Sequence, residues 1–114
     1  MSSHNLFKVS SMEDLQTLNS YAAQHDKIIV IDFHATWCGP CKMIGPYFEH
    51  LSTLEEMKDV LFIKCDVDDA EDVAQFAGVT AMPTFALIKD GKLEQKVTGA
   101  NIESVKNMIY KYIQ

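Results

Sequence analysis

Apolar positions along the chain change period several times, and each change marks a new element. Leu6-Phe7-Lys8-Val9 reads as a short first strand. Ser10 follows, with Glu13 three residues on, the pattern of a hydroxyl that caps a helix start and a carboxylate that reaches back. Leu15, Leu18 and Ala22 then recur at helical spacing, which predicts a helix to about Gln24. Ile28-Ile29-Val30-Ile31-Asp32-Phe33 is nearly continuously apolar and β-branched, as a strand covered on both faces requires. From Cys41 through Ile44, Phe48 and Leu51 the period is helical again. Pro46 falls inside that helix, where it removes a hydrogen bond and is expected to kink it.

Leu61 to Cys65 predicts another strand, and Asp69 or Ala70 to Ala77 a short helix closed by Gly78. Thr84 to Ile88 reads as a third core strand. Lys89-Asp90-Gly91-Lys92 is a hairpin turn, since Asp-Gly tolerates positive φ, and Leu93 to Val97 returns as the antiparallel partner. Ile102, Val105, Ile109 and Ile113 mark a final amphipathic helix. The order is β-α-β-α-β-α-β-β-α. Its alternating first part implies parallel strands with helices on both faces, and it ends in a hairpin and a helix.

One stretch, Trp37-Cys38-Gly39-Pro40-Cys41-Lys42, carries chemistry. It lies where a buried strand gives way to a helix. Residues three apart on a first helical turn share a face, so the two sulfurs can meet. The first cysteine sits at the helix N-terminus, where unpaired N–H groups and the dipole favour an anion and lower a thiol pKa. Pro40 suits that turn because it has no N–H to leave unpaired. The competing reading is a zinc site. A structural zinc needs about four ligands, and beyond the pair only Cys65 and four histidines remain, with no second paired motif.

Composition narrows the partners. At 114 residues the chain suits one domain over 1–114, large enough to bury roughly two thirds of its unfolded surface. A net charge of -6 offers no basic field for nucleic acid or an anionic membrane. No apolar run approaches bilayer-spanning length. The first residues show neither a charged nor an apolar signal region, so a cytoplasmic location is expected, with nuclear residence or a processed organellar form left open. Three cysteines are too few and too odd a number for a disulfide scaffold.

The segment Asp32 to Ile44 resembles the active-site signature of the thioredoxin family. Asp66-Val67-Asp68, Ala81-Met82-Pro83-Thr84-Phe85, Lys89-Asp90-Gly91 and Val97-Thr98-Gly99-Ala100 match the same family in order and spacing, so the resemblance covers essentially the whole chain. It implies the thioredoxin fold: a mixed five-stranded sheet flanked by four helices. The implied activity is protein-disulfide reduction. Cys38 would attack a target disulfide and Cys41 would resolve the mixed disulfide, leaving the redox-active Cys38–Cys41 bond.

Asp32 resembles the buried carboxylate beneath that bond, with a pKa raised by desolvation, able to accept a proton from Cys41. Lys64 resembles the lysine near it; a solvated surface lysine is the equal alternative. Met82-Pro83 resembles a cis-proline segment that presents backbone to an extended substrate. Trp37, Gly39, Pro40, Ala81, Met82, Pro83, Gly99 and Ala100 would form the docking surface. The family implies no bound cofactor and no metal, with electrons drawn from NADPH through thioredoxin reductase. The implied targets are peroxiredoxins, ribonucleotide reductase and methionine sulfoxide reductases, served by a monomer with electron-transport duty. Two rival readings share this fold: an oxidant or isomerase, and a binding module gated by redox state.

Other residues carry weaker signals. His34 falls on the Asp32 side of its strand, either as a packed half-buried side chain or as a group that titrates near the sulfurs. Cys65 reads as a buried, inert thiol. Met12, Met43, Met57 and Met108 read as core filler. His4, His25 and His50 read as exposed or capping residues.

Overall fold

The computed structural model of the chain describes residues 5–113. The elements follow the expected order: β1 (Leu6–Lys8), α1 (Met12–Gln24), β2 (Ile28–His34), α2 (Gly39–Leu51), β3 (Val60–Asp66), α3 (Glu71–Ala77), β4 (Thr84–Lys89), β5 (Lys92–Thr98) and α4 (Ile102–Ile113). A single turn of 3-10 helix over Glu55–Met57, too short to show a period in sequence, joins α2 to β3. The strands form one sheet in the order β1-β3-β2-β4-β5. β3 runs parallel to both β1 and β2, and β4 runs antiparallel to β2 and β5. Asp90 (φ 52°) and Gly91 (φ 77°) make the turn between β4 and β5, as the Asp-Gly pair predicts.

Strand alternation divides the core in two. Ile29, Ile31 and Phe33 of β2 face Leu15 and Ala22 of α1 and Val73 and Ala77 of α3. Ile28 and Val30 face Ile44, Phe48 and Leu51 of α2 and Val105, Met108 and Ile109 of α4. Helices therefore cover both faces of the central strands, which is why β2 reads as an unbroken apolar run.

Two expectations are corrected. The α1 cap is Ser11, not Ser10. Ser11 Oγ accepts the Asp14 N–H (3.1 Å), and the Asp14 carboxylate accepts the Ser10 N–H (2.9 Å). The Ser10/Glu13 and Ser11/Asp14 pairs overlap, and the chain is still tied to β3 by the Val9 N–H to the Lys64 carbonyl (3.2 Å), so the helix begins one residue later. Met43 is not core: it is 72% exposed. The buried face of α2 is Cys41, Ile44, Gly45, Phe48 and Leu51, and Met43 falls off that stripe. Met57 and Met108 are buried and Met12 packs at the edge, as expected. His25 and His50 are exposed, and His4 lies outside the described residues. Among the described residues, no helix is long and apolar enough to cross a membrane.

Candidate active site

The site forms where β2 ends and α2 begins. Cys38 is the N-cap of α2, with extended backbone (φ -97°, ψ 107°), and Pro40 occupies the first turn. Cys38 and Cys41 are joined by a disulfide, with their Cα atoms 5.3 Å apart. The Cys41 N–H donates to Cys38 Sγ at 3.2 Å, so the first sulfur receives one of the N–H groups that a helix start leaves unpaired. Both cysteines are buried in a small cluster with Ala35, Val67 and Met82, while Gly39 and Pro40 are exposed beside them.

Of the remaining docking candidates, Met82 packs in this cluster. Trp37 is 68% exposed, and its Nε1–H donates to Asp68 Oδ2 at 2.9 Å. Asp68 is held in turn by its own N–H to Asp66 Oδ1 (2.9 Å). The Met82–Pro83 peptide is cis, as the resemblance implies. The Pro83 carbonyl accepts the Gly99 N–H (2.9 Å), and the Ala81 carbonyl accepts Thr84 Oγ1–H (2.6 Å). Gly99 has φ 107°, a conformation that favours glycine. Ala100 lines a groove of about 110 Å³ with Met43, Ile44, Tyr47 and Ile102.

On the α2 side of β2, one alternation beyond Val30, lies Asp32, only 1% exposed. Neither of its carboxylate oxygens has a hydrogen-bond partner among the described residues. Burial pushes its pKa up to about 7; the Lys64 charge opposes that rise and the Glu49 charge adds to it. Lys64 lies opposite Asp32 in the β2–β3 register and is half-buried, so it is not a freely solvated lysine. Its ammonium sits on Glu49 Oε2 at 2.8 Å. Sequence reasoning missed Glu49. The available signal was the spacing of Cys41, Gly45 and Glu49, four residues apart along one helical face. Asp68 belongs to the Asp66-Val67-Asp68 motif, but no local pattern announces its bond to Trp37.

A cleft of about 300 Å³ opens between α2 and the sheet, lined by His34, Cys41, Gly45, Glu49 and Lys64 among others. His34 is half-buried there. Burial, and after it the Lys64 charge, holds its pKa below the usual histidine value. Cys65 faces the other side of β3, fully buried, and burial first and then Asp66 push its thiol up to about 12, as an inert thiol requires. Among the described residues, no three His, Cys, Asp or Glu side chains are grouped to hold a metal.

The thioredoxin family model matches residues 9–111. The chain belongs to the thioredoxin family. A thioredoxin of Ictalurus punctatus is 44% identical over 99 residues, covering 83% of this chain and 92% of that one. Thioredoxin-3, mitochondrial, of Saccharomyces cerevisiae is 48% identical over 93 residues, covering 82% of this chain and 71% of that one. The crystal structure of Malassezia sympodialis thioredoxin superposes with a TM-score of 0.87 at 37% identity, covering 100% of this chain and 96% of that one. As a thioredoxin, the chain is a thiol–disulfide oxidoreductase that reduces protein disulfides by exchange at the Cys38–Cys41 pair. Thioredoxins do this with the two sulfurs and without a bound cofactor, and their substrates are disulfide-bearing proteins.

Proposed function

We propose the following division of roles. In the reduced protein the Cys38 thiolate attacks one sulfur of a target disulfide. A Cys38–target bond forms and the other target sulfur leaves as a thiolate. Cys41 then loses its proton to Asp32, directly or through one water, and attacks Cys38 Sγ. The second target sulfur leaves, two electrons have passed to the target, and Cys38 and Cys41 are bonded. Lys64 tempers the pKa of Asp32. Trp37, Gly39, Pro40, Ala81, Met82, Pro83, Gly99 and Ala100 receive an extended target segment, with backbone of the Met82–Pro83 turn as its partner.

The observation that carries this reading is the Cys41 N–H aimed at Cys38 Sγ at 3.2 Å from the start of α2. A sulfur so placed is stabilised as an anion and attacks near neutral pH. Cys41 lacks that position, and the Asp32 carboxyl, buried and unpartnered on the α2 side of the sheet, supports its reading as the proton acceptor. The reading extends to the cell: electrons come from NADPH through thioredoxin reductase, and the targets include peroxiredoxins, ribonucleotide reductase and methionine sulfoxide reductases. The chain acts as a monomeric single domain over 1–114, in electron transport in the cytoplasm. A working dithiol in a chain that also carries a free, buried Cys65 suits a reducing compartment.

The test is insulin disulfide reduction coupled to NADPH oxidation by a thioredoxin reductase. Cys38→Ser is expected to abolish turnover. Cys41→Ser is expected to accumulate a mixed disulfide on Cys38. Turnover by Cys38→Ser at the parent rate overturns the assignment.

A further inference from the structure

Asp32 and Lys64 are neighbours across β2 and β3 on one face of the sheet. Opposite charges so placed ordinarily pair. Here they do not: both Asp32 oxygens are unpartnered, and the Lys64 ammonium lies on Glu49 at 2.8 Å. We propose that Glu49 is a positioning residue for the thiol chemistry, one that holds the Lys64 ammonium over Gly45 and off the Asp32 carboxyl. The inference rests on the reading of Asp32 as the proton acceptor for Cys41.

The path of the lysine supports it. Cys41, Gly45 and Glu49 stack along one face of α2. A Cβ on Gly45 would stand 3.7 Å from Lys64 Nζ, so the amine crosses the helix where glycine leaves the most room. Glu49 is the stop at the end of that crossing.

The energetics favour the same arrangement. Glu49 is half-exposed and its carboxylate stays in contact with solvent, whereas an ionised Asp32 would have to be stripped of solvent to receive the ammonium. Lys64 therefore has a cheaper partner than its strand neighbour. Asp32 keeps a carboxyl that can still take up a proton at the pH where thiols exchange.

The charged groups around this carboxyl are few. Glu49 comes from α2 and Lys64 from β3. His34 of the same strand and Lys42 of α2 line the same cleft, and β4 places uncharged Phe85 opposite Asp32. Removing Glu49 both frees the ammonium to swing inward and deletes a negative charge. Either change favours ionised Asp32, and they separate when Lys64 is absent.

The experiment is NMR titration of the Asp32 carboxyl in the oxidised protein, its resonance assigned with Asp32→Asn. Glu49→Gln is expected to lower the midpoint by about one pH unit, the size of effect a cation brought alongside a carboxylate produces. In a Lys64→Met background the same substitution is expected to shift it much less. An unchanged midpoint in Glu49→Gln overturns the proposal. So does an equal shift in both backgrounds, because Glu49 would then act through its own charge and not by placing Lys64. The pH profile of mixed-disulfide resolution is measured on the same variants. A midpoint that moves as expected while the profile stays fixed upholds the placement of Lys64 by Glu49 but removes Asp32 as the proton acceptor, and with it any part of Glu49 in the thiol chemistry.

Discussion

Strand β2 presents two buried faces that differ in one respect. On the side of α1 and α3, Ile29, Ile31 and Phe33 are apolar to the end of the strand, and Cys65 lies fully buried on the same face of β3. On the side of α2 and α4, Ile28 and Val30 are equally apolar, but the next position is Asp32, with Lys64 across from it and His34 beyond. A one-residue step along the same strand changes a closed core into an ionisable one. One face supplies stability. The other gives up stability at its end, where it holds a buried carboxyl whose pKa is raised by desolvation.

The contrast is open to direct attack. Phe33→Ala is expected to cost about 3–5 kcal/mol by leaving a cavity in the closed face, with little dependence on pH; urea unfolding measures it. Asp32→Asn, one position away, is expected to do the opposite. The folded carboxyl titrates at about 7 against 3.8 when unfolded, so the native protein loses stability as pH rises through that window. Asparagine escapes the loss, a gain of at most about 4 kcal/mol at pH 8 that vanishes near pH 4. A variant no more stable than the parent at pH 8 would mean that the carboxyl is not paying for its burial.

His34 gives a smaller effect of opposite slope. Its folded pKa is held below 6.5, so stability falls as pH drops from that value through the folded one. His34→Gln should flatten the decline, and parallel acid limbs for parent and variant would refute it. The smallest expected change is for Asp68→Ala, less than about 1 kcal/mol at an exposed bond. Trp37 is the only tryptophan, so its fluorescence spectrum reports the loss of the Nε1–H partner directly. An unaltered spectrum would show that the indole is not held from that side.

Much of this was legible in the residues. The alternation of β2 placed Asp32 and His34 on one side, Asp90-Gly91 declared its turn, and the strand-to-helix junction put Cys38 at a helix start. The quoted motifs carried the cis Met82–Pro83 bond. What escaped had no local period to announce it. Glu49 meets Lys64 across fifteen residues and Asp68 meets Trp37 across thirty-one. A strand shows which way a lysine leaves the sheet, but not which helix residue waits for its ammonium. The exposed Met43 departs from expectation for a different reason: methionine is common in cores, and only the stripe of buried α2 positions shows that residue 43 lies outside it.

The seclusion of Cys65 gives the molecule a built-in opening gauge. Its sulfur is sealed under α1 and α3, on the far side of the sheet from the redox pair. A thiol reagent can reach it only when those helices lift away. The lag before this third sulfur is labelled in the reduced protein therefore clocks breathing of the sheet, independently of how fast the other two exchange.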